Sequence, residues 1–301
     1  MACGDQQPPP APRPRVPPDW PFFLGLGILG GTYLLLILLL LVADTFYTTF
    51  GELGRILVDP EIRYSLKLSL ASCSITALLS LLVAIPIGFL LSQASRQLSA
   101  YRAAHAGARL PWPFRVKQAG FLLLDTLLDI PIILPPLVIG LSLLILFRIP
   151  PFKWIDRQVT YEIPAVILAQ FMVAAAFAVR TMRVTFDQIN PRREQVALTL
   201  GCNRAQAFRR VVLPQARRGI LAAATLAWAR ALGEFGPILV FAGATRLRTE
   251  VLSTTVFLEL SIGRLEAAVA VSLLMVAAAI LVLVLTRLFG VRDTVISGAG
   301  L

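Results

Sequence analysis

Residues 190–214 read NPRREQVALTLGCNRAQAFRRVVLP, a polar and strongly basic interlude between two long apolar segments. The pattern predicts two short helices joined by a tight turn. Asn190 is placed to cap the first, and Pro191 sits at the first helical position, where a missing N–H costs nothing. Gly201 can take the left-handed conformation that ends that helix. Asn203 caps the second, with Gln206 three residues on in the capping-box position, and Pro214 is expected to stop it. At 1.5 Å per residue each helix is only about 15 Å long, too short to cross a bilayer. Val196, Ala197, Leu200, Phe208, Val211 and Val212 supply an apolar face; Arg192, Arg193, Arg204, Arg209 and Arg210 supply a basic one.

What flanks this interlude sets the fold class. The chain has 301 residues, 57 % of them hydrophobic and 15 % charged, a mean hydropathy of +0.76 and a net charge of +11. That apolar share exceeds the ~45–50 % of soluble domains and is gathered in long runs, which predicts an all-α, polytopic membrane helix bundle. Six spans are expected, with the short helical hairpin between the fourth and fifth. The first covers about 21–43, the second 65–92, the third 119–147, the fourth 163–182, the fifth 219–242 and the sixth 266–289. In the third, Pro131, Pro135 and Pro136 forbid a straight helix, so it should kink or break and its freed carbonyls must find partners. Residues 247–262 carry Glu250 and Glu259 and predict an interfacial or re-entrant segment rather than a seventh span. Residues 1–20 are Pro-rich and polar, a disordered tail in expectation.

The loop charges orient the bundle. Loop 93–118 carries Arg96, Arg102, Arg109, Arg115 and Lys117 without an acid, and loop 180–218 is richer still in arginine. The alternating loops are close to balanced. Both termini and residues 190–214 are therefore expected in the cytoplasm, in an inner (plasma) membrane. Basic excess of this kind calls for no nucleic acid.

Charges inside the membrane mark the next candidates. Arg230 and Glu234 lie four apart on one helix face, beside Gly233, Gly236 and Pro237, which weaken the helix there. Asp125 and Asp129 of the third span are also four apart, and Arg230 could serve them. Unpaired charge at the bilayer centre costs several kcal/mol, so these groups should pair or face a wet cavity. They either fix helix register as a buried ion pair or line a path through the membrane.

Three motifs carry a resemblance. Residues 190–214 are similar to the cytoplasmic loop of permease subunits of ATP-binding-cassette importers, whose pattern is E-A-A, three residues, Gly, nine residues, I-x-L-P. Gly201 is the glycine, Val211-Val212-Leu213-Pro214 closes the pattern, and Gln195-Val196-Ala197 fills the first slot with Glu194 just before it. Leu134-Pro135-Pro136, three residues, Gly140 resembles a motif of molybdate and sulfate permeases, as does 230–236, RALGEFG, which contains Arg230, Gly233, Glu234 and Gly236. The likeness covers about 64–288. It implies a type I importer transmembrane domain over 64–290, preceded by a first helix and periplasmic loop over 21–63 and followed by a cytoplasmic tail over 291–301. It implies a coupling loop that docks on cytoplasmic ATPase subunits, with either Glu194 or Gln195 making its polar contact. It also implies a second permease subunit, as a homodimer, and a periplasmic or lipid-anchored substrate-binding protein that delivers an oxyanion such as molybdate, tungstate or sulfate.

Catalysis is not expected in the chain itself. It has no G-x-x-x-x-G-K-[ST] loop, His105 is its only histidine, and no metal-ligand cluster is spelled out, so ATP would be bound by the partner subunits and no cofactor by this one. Gly25, Gly27 and Gly30 match a dinucleotide fingerprint by letter, but no strand precedes them and no ribose-binding acid follows. Cys3, Cys73 and Cys202 have neither metal nor disulfide spacing. Two alternatives stand beside the oxyanion importer: a permease of the same kind for another small solute, and a proton-coupled secondary carrier using the intramembrane carboxylates. The carrier leaves residues 190–214 unexplained.

Overall fold

A computed structural model of the protein describes residues 20–48, 50–105 and 111–298. Residues 1–19, which hold most of the Pro-rich tail and Cys3, lie outside these, as do Arg109 and the last three residues. The chain divides into two compact units, Met1–Tyr47 and Thr48–Leu301. In the first, α1 (Trp20–Tyr47) is a single helix whose leucine-rich surface is exposed along its length, as suits a helix meant for lipid.

The second unit is helical throughout among the described residues. After the short α2 (Phe50–Val58), α3 runs from Pro60 to Ala104. Asp59 caps it by accepting from the Glu61 N–H (2.9 Å), with Pro60 at the first position. Its 45 residues extend about 67 Å, twice the ~30 Å hydrocarbon core, so the stretch 93–104 is helix rather than loop. Pro86 sits inside it without breaking it. The third apolar segment does break. α4 (Trp112–Ile133) and α5 (Pro136–Arg148) meet at Leu134 and Pro135 with a bend of 110°. A 3₁₀ turn at Phe152–Trp154 and the single turn α6 (Asp156–Val159) lead into α7 (Ile163–Gln188).

The hairpin follows as α8 (Pro191–Thr199), α9 (Arg204–Ala207), a π turn (Phe208–Val212) and α10 (Leu213–Gln215). The fifth apolar segment is not one helix but two, α11 (Arg217–Leu232) and α12 (Gly236–Phe241). α13 (Leu252–Ser261) is too short to span, in line with the interfacial expectation. α14 starts at Leu265 and continues to Gly298, so the expected tail from 291 begins as helix. Among the described residues four helices, α1, α3, α7 and α14, are long and apolar enough to cross a membrane, and the bent pair α4–α5 makes a fifth such segment if counted as one span. The expected fifth span falls short of that length because of its break at 233–235.

The core of the second unit is an α3–α7–α11 seam built from small side chains. On α3, Ser65, Ser69, Ser72, Cys73, Thr76, Ser80, Ala84 and Gly88 are buried, and α7 answers with Ala169, Ala174, Ala178 and Met182. Small residues let helix backbones approach where lipid offers no hydrophobic drive between them. At Gly88 a Cβ would lie 2.8 Å from the Met182 Cβ, and at Gly219 2.1 Å from Thr185. Gln170 sits buried in this seam, donating to the Ala231 carbonyl (3.2 Å) and accepting from Thr76 (3.2 Å), so one side chain ties three helices.

Candidate functional site

Two places gather the residues singled out by sequence. The first is the hairpin. Asn190 Oδ1 accepts from the Arg192 N–H (3.0 Å), which caps α8. At its other end Gly201 has φ +90°, Cys202 N–H reaches the Ala197 carbonyl (3.1 Å) and Gly201 N–H the Leu198 carbonyl (3.1 Å). These are the two bonds of a Schellman turn, which needs the left-handed residue that glycine supplies. Asn203 and Gln206 form the full capping box, at 2.8 and 3.0 Å. Pro214 does not end the hairpin. The π turn lets Leu213 N–H bond back to the Phe208 carbonyl, so Pro214 falls in the first turn of α10 and the path runs on into α11.

The hairpin is fastened to the bundle on one side. Phe208 packs against Phe89 of α3 (ring centroids 4.7 Å) and Phe186 of α7 (6.2 Å). Gln93 of α3 donates to Glu194 Oε2 (2.8 Å), and Arg96 donates to the Phe186 and Ile189 carbonyls at the end of α7 (3.3 and 3.2 Å). Arg193 donates to Gln215 Oε1 (2.9 Å), closing the hairpin's own base. Ala197, Ala207 and Val212 are buried, Val211 and Leu213 half-buried. Val196 and Leu200, expected on the same apolar face, are 56 % and 80 % exposed, and Gln195 is exposed beside them. The apolar face is thus split between an inward set and an outward set.

The second place is where the two broken segments meet. Gly140 of α5 lies so close to α12 that a Cβ would be 2.8 Å from the Pro237 Cα, and a Cβ on Gly236 would be 3.1 Å from the Leu137 nitrogen. Pro135, Pro136, Leu137, Arg230, Gly233, Glu234, Phe235 and Gly236 enclose a cavity of about 320 Å³. Arg230 stands 3.7 Å from Glu234 and over the Phe177 ring (4.8 Å to the centroid). The two do pair, but not on one helix face as expected: α11 ends at Leu232 and Glu234 lies in the break, its carboxylate buried and the Arg230 side chain 41 % exposed. The carbonyls freed by the break find side-chain partners: Ala231 takes Gln170, and Glu234 takes the Ser253 hydroxyl (2.7 Å).

Asp125 and Asp129 are not served by Arg230. They face α7, where Arg180 pairs with Asp129 and stands 3.5 Å from Asp125, and Arg183 pairs with Asp125. Arg183 also lies over the Phe121 ring, 5.4 Å from its centroid. Helix α7 runs six residues past the expected end of the fourth span, which moves both arginines from a loop onto a helix. Sequence reasoning also missed a network around α13. Arg246 bridges Glu61 and Glu259 (3.0 Å to the latter), and Arg264 approaches Glu259 at 3.7 Å. Glu250 beside them is 2 % exposed, and burial pushes its carboxyl above the usual range. Its only signal was two acids in a moderately apolar run. Among the described residues no group of His, Cys, Asp and Glu is arranged to hold a metal ion.

A membrane bundle with two broken helices around a cavity, and a short exposed hairpin at one end, has the architecture of a multi-pass transport protein. The chain belongs to the family of binding-protein-dependent transport system inner membrane components, whose model matches residues 106–292. It is 29 % identical over 278 residues to the sulfate transport system permease protein CysT of Escherichia coli (strain K12), covering 89 % of this chain and 91 % of that one. It is 30 % identical over 193 residues to the molybdate/tungstate transport system permease protein WtpB of Pyrococcus abyssi, covering 64 % and 66 %. In fold it is similar to a chain of a bacterial alginate ABC transporter crystallised with an alginate-bound periplasmic protein, with a TM-score of 0.68 at 16 % identity over 92 % of this chain and 96 % of that one. Family membership makes the protein a permease of a binding-protein-dependent ABC importer.

Proposed function

We propose that the protein imports a tetrahedral oxyanion, in the class of sulfate, molybdate and tungstate, by alternating access, with ATP hydrolysed by separate cytoplasmic subunits. The observation that supports this most is the split hairpin. Glu194 and Phe208 face the bundle, while Gln195, Val196 and Leu200 present a small polar and apolar surface outward. In this reading the outward set docks on an ATPase subunit, Gln195 rather than the engaged Glu194 makes the polar contact, and Ala197, Gly201, Val211, Leu213 and Pro214 hold the docking angle. Motion passed through the hairpin reaches α11 across the single turn residue Ala216, and arrives at the Arg230–Glu234 corner. Pro135, Pro136, Gly140, Gly233 and Gly236 let the two broken segments slide, and Arg230 offers positive charge to a passing anion. A second copy of the chain completes the path, a periplasmic or lipid-anchored binding protein delivers the anion, and both termini are cytoplasmic. The near full-length likeness to a sulfate permease favours the oxyanion; the alginate neighbour supports only the fold.

Uptake of labelled sulfate and molybdate into vesicles holding the chain, its ATPase and its binding protein tests this. Vanadate should abolish uptake and ionophores should not. Gly201→Val forces a branched side chain into a left-handed turn, at about 1–2 kcal/mol. It should leave basal ATPase activity intact and cut uptake at least tenfold. Ionophore-sensitive, vanadate-resistant uptake would turn the reading to a secondary carrier.

A further inference from the structure

Helices α11 and α14 leave between them a cleft of about 480 Å³ that opens at the hairpin end of the bundle. Leu221, Leu226 and Leu283 form its walls, and Ala222 its exposed floor. Its two threonines are already committed to their own helices: Thr225 donates to the Leu221 carbonyl (2.8 Å) and Thr286 to the Val282 carbonyl (2.9 Å). The polar capacity left over is cationic. Arg218, the second residue of α11, and Arg287, at the end of the apolar stretch Leu265–Leu288, both line the cleft.

Several arginines near the membrane are tied to carboxylates. Arg180, Arg183, Arg230, Arg246, Arg248 and Arg264 all have carboxylate partners. Among the described residues Arg218 and Arg287 have none, and both are exposed. Two guanidinium forks suit a phosphodiester, and at the boundary between apolar helix and water they stand at headgroup depth. An apolar trench running from that point toward the membrane interior suits an acyl chain. A free anion would use the arginines but not the trench; an apolar helix would use the trench but leave two charges unpaired.

We propose that this cleft binds an anionic phospholipid, its phosphate between Arg218 and Arg287 and one acyl chain along Leu221, Leu226 and Leu283. Basic pockets between membrane helices hold anionic headgroups on these terms, each arginine contributing about a fivefold gain. The full chain, purified in phosphatidylcholine, is titrated with dioleoyl-phosphatidylglycerol and the retained lipid is counted by native mass spectrometry. Phosphatidylglycerol should be retained over phosphatidylcholine. Arg218→Gln and Arg287→Gln should each weaken retention about fivefold, and together about 25-fold. Ala222→Phe, which fills the trench and leaves both arginines in place, should displace the lipid by at least tenfold, and millimolar inorganic phosphate should not compete. Unchanged retention in the double arginine variant overturns the proposal. So does a site that inorganic phosphate fills and Ala222→Phe leaves untouched, since that is a free-anion site. Efficient Ala222→Cys disulfide formation between two copies would also overturn it, because the cleft would then be a protein interface.

Discussion

The two intramembrane charge clusters look alike in sequence and are built for different work. Asp125 and Asp129 reach across to Arg180 and Arg183 on another helix, in a two-tier ladder. Arg230, in the last turn of α11, pairs with Glu234 in the break just beyond it, at a longer 3.7 Å, beside a cavity. The difference follows from what surrounds them. Helix α4 has no fully buried residue; Phe121 and Leu128 pack against the core from it, and the ladder adds a polar attachment to α7. The Arg230–Glu234 corner lies in a seam already packed by Ala227, Ala231, Leu232 and Ile238, all buried, and holds nothing together that would otherwise separate. Charge in the first cluster joins two helices; charge in the second lies beside a cavity.

The largest effect should therefore come from the ladder. Asp125→Asn leaves Arg183 with only the distant Asp187, at 3.9 Å, and takes one partner from Arg180. Stranding one member of a buried pair costs about 3–5 kcal/mol. Arg183 and Asp125 are 16 % and 22 % exposed and so partly screened, and about 2 kcal/mol is the expected cost here. Asp125→Asn with Asp129→Asn should lower the yield of monodisperse detergent-solubilised protein tenfold or more. Neutralising all four, with Arg180→Gln and Arg183→Gln added, should recover much of it. Undiminished yield in the double aspartate variant would remove the ladder's structural role.

The second cluster should respond the other way round. Glu234→Gln leaves the partly exposed Arg230 alone and should cost assembly about 1 kcal/mol or less, Arg230→Gln leaves the buried Glu234 carboxylate unpaired and should cost more, and the double substitution should restore assembly. Uptake should fall in all three, because the guanidinium facing the cavity is lost or misplaced in each. Scoring the double-mutant cycle separately for assembly and for uptake decides the matter. Full uptake in all three variants would mean that these charges merely meet water in the cavity.

The contrast was only half legible in the sequence. Pairs four apart in sequence can be read without knowing the fold, and Arg230 met Glu234 even though the helix ends between them. The partners of Asp125 and Asp129 were tertiary, and Arg180 and Arg183 looked like loop charges because the apolar run fades near Met182 while the helix runs to Gln188. The hairpin shows the same division. Asn190, Gly201, Asn203 and Gln206 act through bonds to residues two to four away, and each did what its local chemistry dictates. Pro214 was misjudged because a preceding π turn, invisible to helical periodicity, places it in a first turn. Val196 and Leu200 were grouped with Ala197, Phe208, Val211 and Val212 on one apolar face, and hydrophobicity alone does not say that the bundle covers only part of it. The breaks at 134–135 and 233–235 were signalled by Pro and Gly, but that they face each other across one cavity is a property of the packed bundle.

The gentlest test probes how the second break is held. When α11 stops at Leu232, carbonyls that a continuous helix would satisfy lose their partners, and inside a membrane each must find another. The Ala231 carbonyl accepts from buried Gln170, within a residue that is itself fully buried. The Glu234 carbonyl accepts from Ser253 at 2.7 Å, and this is the link between the break and α13. Glu234 also lines the cavity of about 320 Å³, roomy enough for water to replace a lost hydroxyl. Interhelical hydrogen bonds of this kind contribute about 0.6 kcal/mol on average in a membrane protein. Ser253→Ala should thus lower the melting temperature by only about 1–3 °C and leave assembly unchanged. Uptake should stay within about twofold. Should Ser253→Ala instead abolish assembly, the break would depend on α13 as heavily as α4 depends on its ladder. The two clusters would then differ in geometry but not in kind.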